Sequence, residues 1–179
     1  DDVGMIYPDY EIELVGPVGY DPEAKVDPSP SLVDAPEIGL VAIRAPEVWA
    51  EGITGAGVLV ASLDTGVDGN HPALASRWEG VANPMYANHP EWAWYDPVTN
   101  TTFPDAWGGH GTHTMGTMVG DDGADEQIGV APGARWIGCR NMREGYGTPA
   151  TYTECFEWFL APTDTNGVPD PAMAPDVIN

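Results

Sequence analysis

Positive charge is the scarcest feature of this sequence: one lysine, Lys25, and five arginines stand against 28 acidic residues, for a net charge of −22. A surface so charged repels phosphate backbones and anionic bilayers, which argues against nucleic acid and membrane surfaces as partners. The same acidity suits an extracellular or high-salt protein kept soluble by self-repulsion, or one whose carboxylates bind divalent cations. Long apolar runs are also missing, and none approaches the ~18 residues of a membrane span. The chain opens on Asp1-Asp2 rather than on the basic-then-apolar pattern of a signal peptide, so an exported form would be one shown without its targeting segment. Cysteine is limited to Cys139 and Cys155, too few for a disulfide scaffold. They make one bridge in an oxidising compartment if their backbones approach closely enough, or two buried thiols in a reducing one. Serine occurs only at positions 29, 31, 62 and 76.

What is present indicates a folded domain. The hydrophobic fraction is 42% with seven tryptophans, which excludes a disordered chain, and 179 residues suffice for one core. Glu11 to Val15 alternates apolar and acidic residues, the period of a half-buried strand. Five prolines at 17, 22, 28, 30 and 36 mark an exposed linker, with a boundary near residue 36. Residues 45–50 predict a helix with proline in its first turn, and 58–63 a strand buried on both faces, as in a parallel sheet. The stretch 80–108, rich in Trp, Tyr, Asn and Pro, reads as a long surface excursion. Thr112 to Val119 reads as a buried helix of small residues and 135–139 as a strand. Residues 151–160 predict a helix with Tyr152, Cys155, Phe156 and Phe159 on one face, and 176–179 a third strand. Strands alternating with helices indicate an α/β fold around a parallel sheet.

Two of these features carry chemistry. Asp64 ends the first buried strand, where parallel sheets collect their ligands, although an aspartate there is by itself an ordinary turn former. His110 stands at the head of a helix whose side chains are too small to fill a core, which lets that helix approach the sheet closely. A carboxylate beside a histidine fixes the imidazole tautomer and stabilises its charged form in general-base catalysis.

Val60 to Asp68 followed by His71-Pro72 resembles the aspartate segment of the subtilisin family. His110-Gly111-Thr112-His113 with Gly116-Thr117 resembles its histidine segment, 46 residues on (110 − 64). Ile128 to Ala134 resembles the stretch entering the next strand, and Trp136 to Asn179 is similar to the bacillopeptidase F branch of that family. The likeness covers residues 38–179. It implies a three-layer subtilisin-like fold with a mostly parallel central sheet, incomplete at its C-terminal end, in a secreted serine endopeptidase. Asp64 would orient His110, His110 would be the general base, and His113 would be structural. Gly145, Tyr146 and Gly147 would be the edge strand that binds extended polypeptide. Residues 1–36 resemble the tail of an inhibitory propeptide with its linker, and 37–179 the N-terminal part of the peptidase domain.

The family's nucleophile lies in a Gly-Thr-Ser-Met-Ala type segment, and none of the four serines does. The chain alone is therefore expected to be inactive and to need the C-terminal half of its own catalytic domain as partner. An inactive pseudoprotease or a propeptide-bearing binding module is the alternative. The chemistry requires no cofactor. Structural calcium is common in the family, and Asp121, Asp122, Asp125 and Glu126 supply hard oxygen ligands, although a solvated acidic loop reads the same way. Asp64-Thr65-Gly66 also matches the aspartic-protease triplet, but that chemistry has no use for His110. A zinc site on His110 and His113 lacks the glutamate of the usual zinc-protease helix. Asn100-Thr101-Thr102 is a glycosylation sequon that decides nothing.

Overall fold

The apolar run after Gly57 becomes the middle of a parallel sheet because both of its faces are covered. The computed structural model of the chain describes residues 6–15, 36–123 and 127–179. Its elements run β1 (Ile12–Glu13), α1 (Ile38–Ala42), α2 (Ala45–Ala50), β2 (Leu59–Asp64), α3 (Glu79–Ala82) and α4 (Pro84–Ala87). They continue with β3 (Trp94–Tyr95), α5 (His110–Val119), β4 (Arg135–Arg140), β5 (Met142–Arg143), β6 (Tyr146–Gly147), α6 (Pro149–Leu160) and β7 (Val177–Ile178). The main sheet has the order β3-β4-β2-β7 with every pair parallel, and a small antiparallel sheet has the order β1-β6-β5. The linker prolines Pro17, Pro22, Pro28 and Pro30 lie outside the described residues.

Strand alternation sorts the helices onto opposite faces. Leu63 pairs with Cys139 and Asp64 with Arg140, so successive pairs point to opposite sides of the sheet. Cys139 is joined by a disulfide to Cys155 of α6, with Cα atoms 5.8 Å apart. Asp64 is bonded by residues of α5. Helix α6 therefore covers the Cys139 face and α5 the Asp64 face, giving an α/β arrangement of three layers. Helix α6 also crosses over β2 to connect the parallel strands β4 and β7. It starts at Thr148, whose hydroxyl and that of Thr151 make a reciprocal capping box ahead of Pro149.

Two expectations need correction. The stretch 80–108 is no surface excursion: Tyr86, Ala93 and Trp94 are buried in the core, and β3 extends the sheet. Proline and asparagine cut this stretch into pieces too short to show a period, while the aromatic rings fill the space beyond β4. The Trp94 indole donates to the Thr101 hydroxyl and the Trp78 indole, just ahead of the stretch, to the Ala93 carbonyl, both at 3.1 Å, whereas the buried Trp92 indole has no hydrogen-bond partner among the described residues. The inner face of α6 is also turned from its expected position. Cys155, Trp158 and Phe159 are buried, whereas Phe156 is 47% exposed.

Opening the Cys139–Cys155 bridge frees a loop 16 residues long. In the chain-entropy account that costs about 3 kcal/mol. A Cys139→Ser/Cys155→Ser variant is expected to lose about that much in urea unfolding, and a loss below ~1 kcal/mol would mean that packing alone holds α6 to β4.

A second buried feature ties β4 to the loop before α5. The Asp96 carboxylate accepts bonds from the backbone of Val98, Thr99 and Thr101, from the hydroxyls of Thr99 and Thr101, and from Arg140. Burial alone would raise the pKa of Asp96. The bonds from Thr101 and Thr99 outweigh burial and hold it below the ordinary value. A depressed carboxylate contributes stability that is complete above its unfolded pKa, near 3.9, and lost as pH falls through the folded value. Asp96→Asn is thus expected to be destabilised by about 3 kcal/mol at pH 7, because Arg140 loses a buried partner. Urea titrations at pH 7 and pH 2 should show that gap shrinking with acid; a constant gap would contradict the assignment.

Candidate active site

Strand β2 delivers Asp64 to the carboxyl end of the sheet, and α5 begins directly above it with His110. The His110 Nδ1 lies 2.8 and 2.9 Å from the two Asp64 carboxylate oxygens. A carboxylate only accepts, so Nδ1 carries a proton, and in the neutral imidazole Nε2 keeps its lone pair. Asp64 is buried and His110 partly exposed, 8% against 38% for the side chains, so the pair has a dry end and a wet end. The dry end is further fixed by the Thr65 backbone N–H, which donates to Asp64 Oδ1 at 2.6 Å. The Thr114 hydroxyl lies 3.2 Å from Asp64 Oδ2 and 3.0 Å from the Gly111 carbonyl, and its single proton serves one of them at a time.

Close approach of α5 to the sheet depends on Gly111. A Cβ at that position would lie 2.2 Å from the Gly66 carbonyl oxygen and 3.0 Å from the Asp64 Cβ. The Gly111 N–H instead donates to the Thr65 hydroxyl at 3.2 Å. Thr65, Gly111 and Thr114 were legible only as parts of the two motifs. Their separate contributions follow from the helix sitting on the strand end.

His110 opens onto a cavity of about 690 Å³ lined by Thr65, Trp107, Glu144, Gly145 and Tyr146, and by Glu13 and Leu14 from the N-terminal segment. The edge strand expected near Gly145–Gly147 is present as β6, and it is already paired. Ile12 lies opposite Gly147 and Glu13 opposite Tyr146 in antiparallel register, and the Leu14 N–H donates to the Gly145 carbonyl at 2.7 Å. The Glu13 carboxylate accepts from the Tyr146 hydroxyl at 3.3 Å, and its charge pushes that phenol's pKa up. The strand of Glu11–Val15 and the edge strand at 145–147 were each legible, but not that one covers the other.

Other candidates fall elsewhere. His113 is exposed one turn along α5 and touches the rims of this cavity and of its neighbour. Asp121 is bound to Arg77 and accepts from the Gly123 N–H, so calcium on this loop would have to displace a guanidinium. Asp125 and Glu126 lie outside the described residues, and among the described residues no three acidic, His or Cys side chains are grouped to hold a metal. The described part of the loop, Asp121 to Gly123, thus forms no calcium site by itself. Ser62 is buried inside β2 and Ser76 is exposed on a 3-10 turn; neither hydroxyl bonds His110 among the described residues. Ser29 and Ser31 lie outside them.

A family model described as the Subtilase family matches residues 55–179. Bacillopeptidase F of Bacillus subtilis (strain 168) is 49% identical over 150 residues, which make up 82% of this chain and 10% of that protein. The Major intracellular serine protease of the same organism is 37% identical over 96 residues, 54% of this chain and 27% of that protein. Subtilisin E is 32% identical over 122 residues, 63% of this chain and 28% of that protein. The chain thus spans about a tenth of the length of the first relative and little over a quarter of the other two.

Proposed function

Because the chain belongs to the subtilase family, we propose that it supplies the aspartate and histidine of a serine endopeptidase whose serine comes from outside these 179 residues. The observation that carries this reading is the Asp64–His110 pair with Nε2 directed away from the carboxylate. His110 Nε2 takes the proton of the incoming serine as its oxygen attacks a peptide carbonyl. Asp64 stabilises the imidazolium so formed, which then protonates the leaving amine, and water hydrolyses the acyl-enzyme. No metal or organic cofactor takes part.

Substrate polypeptide would add as a strand to β6, taking bonds from Gly145 to Gly147. The N-terminal segment already makes such bonds, which supports reading residues 1–36 as propeptide tail and linker ahead of a domain from 37. The partner is the C-terminal half of the catalytic domain. The disulfide supports an extracellular site of action, since such bridges persist in oxidising compartments.

The test is fluorophosphonate labelling of this chain, alone and mixed with the C-terminal half of the domain. Labelling of the partner's serine only in the mixture, and its loss with His110→Ala, is the expected result. A folded mixture that takes no label would favour an inactive binding module instead.

A further inference from the structure

We propose that Arg140 is a positioning residue for the Asp64–His110 pair, an inference that rests on the catalytic reading of that pair. Arg140 ends β4 directly opposite Asp64, and its side chain is 4% exposed. The guanidinium reaches three parts of the chain at once. Nη1 donates to the Thr99 hydroxyl at 2.6 Å and to Asp96 at 3.3 Å, while Nη2 donates to the Asp105 carboxylate at 2.6 Å and also to the Asp105 carbonyl. Its Nε has no hydrogen-bond partner among the described residues and lies against Gly66, where a Cβ would come within 2.8 Å of it.

The segment held by Nη2 is the one that delivers His110. Asp105 is followed by Ala106, which makes an antiparallel bridge to Gly66, and by Trp107, whose N–H donates to the Thr65 carbonyl at 3.0 Å. Gly108 and Gly109 then lead straight into α5, and Gly108 takes a positive φ of 70°. Two glycines impose little direction of their own. The heading of His110 is therefore set from the 105–107 side by contacts that Arg140 pins to the Asp64 turn. A buried ion pair contributes little stability over an apolar substitute, whereas a planar fork fixes angles between the segments it joins. Such fixing matters at this place, since a shift of about 1 Å in catalytic geometry costs about 10²-fold in rate.

The readout is the exchange with water of the His110 Nδ1 proton, followed by NMR on this chain well below its melting temperature. In the wild type the proton should be visible and protected by its bond to Asp64. Arg140→Gln is expected to speed its exchange at least tenfold while circular dichroism shows a folded chain. Arg140→Lys keeps the charge without the fork and should recover less than half of the protection. Should Arg140→Gln not fold, Asp105→Ala removes the carboxylate half of the loop contact and leaves the Asp105 carbonyl bonded to Nη2. The Asp105 side chain is 61% exposed, so its loss leaves no buried cavity; the variant is expected to fold and to speed exchange several-fold. Exchange within twofold of wild type in a folded Arg140→Gln or in Asp105→Ala would overturn the proposal. Full protection in Arg140→Lys would overturn the role of the fork. A wild type with no protected proton would overturn the Asp64–His110 pairing itself, and the two failures are thereby told apart.

Discussion

Replacing His110 by alanine in the reassembled enzyme is expected to lower kcat by about 10⁶-fold, the scale found for the same substitution in subtilisin itself. Without the imidazole the serine loses the base that takes its proton, and what survives is binding and oxyanion stabilisation, roughly 10³-fold over water. Asp64→Asn should cost less, about 10⁴-fold, because the amide presents a donor to Nδ1 and selects the wrong tautomer while leaving a base in place. The two variants should also differ in form. The His110 variant should show little dependence on pH near neutrality, and the Asp64 variant should regain rate as pH rises. Turnover of a chromogenic peptide by the two-part mixture measures both. A His110→Ala mixture within 100-fold of wild type would remove His110 from the mechanism.

Gly111→Ala is expected to act on the same pair through the backbone. Its added methyl would sit 2.2 Å from the Gly66 carbonyl oxygen and 3.1 Å from Asp64 Oδ1. Backbone oxygen does not yield as a flexible side-chain tip does, so helix α5 must lift from the strand end. Overpacking of this kind costs about 1–3 kcal/mol, and lifting α5 adds the separation of Asp64 from its histidine. A loss of about 1–3 kcal/mol in urea unfolding is expected. By helix propensity alone the same substitution would stabilise by up to about 1 kcal/mol. The sign of the change thus decides whether close approach or propensity governs this position.

Much of this arrangement could be read from residue order, for identifiable reasons. The β2 and β4 strands announced themselves because burial on both faces leaves an almost unbroken apolar run. Asp64 and His110 were legible only together, because two motifs resembling the subtilisin family's stand in order; alone, the aspartate reads as a turn former and the histidine as structural. Arg140 was not legible: a single arginine at the end of a strand looks like an exposed terminus. Its three anchors, Asp96, Thr99 and Asp105, lie in a stretch whose prolines and asparagines suggested a surface loop. The outward turn of Phe156 escaped notice because Trp158 competes for the same wall, and a helical wheel cannot rank two aromatic rings. The covering of β6 by β1 joins segments more than 130 residues apart, a distance at which local periodicity is silent.

That covering also sets the terms on which anything else can reach β6. A strand carried on the same chain acts at an effective concentration on the order of millimolar, fixed by the tether rather than by the solution. A free peptide of equal intrinsic affinity would have to reach about that concentration to take half of the sites. Cutting the chain between β1 and α1 would abolish the advantage while leaving the bonds between β1 and β6 as they are, turning a tethered occupant into one that dilution removes.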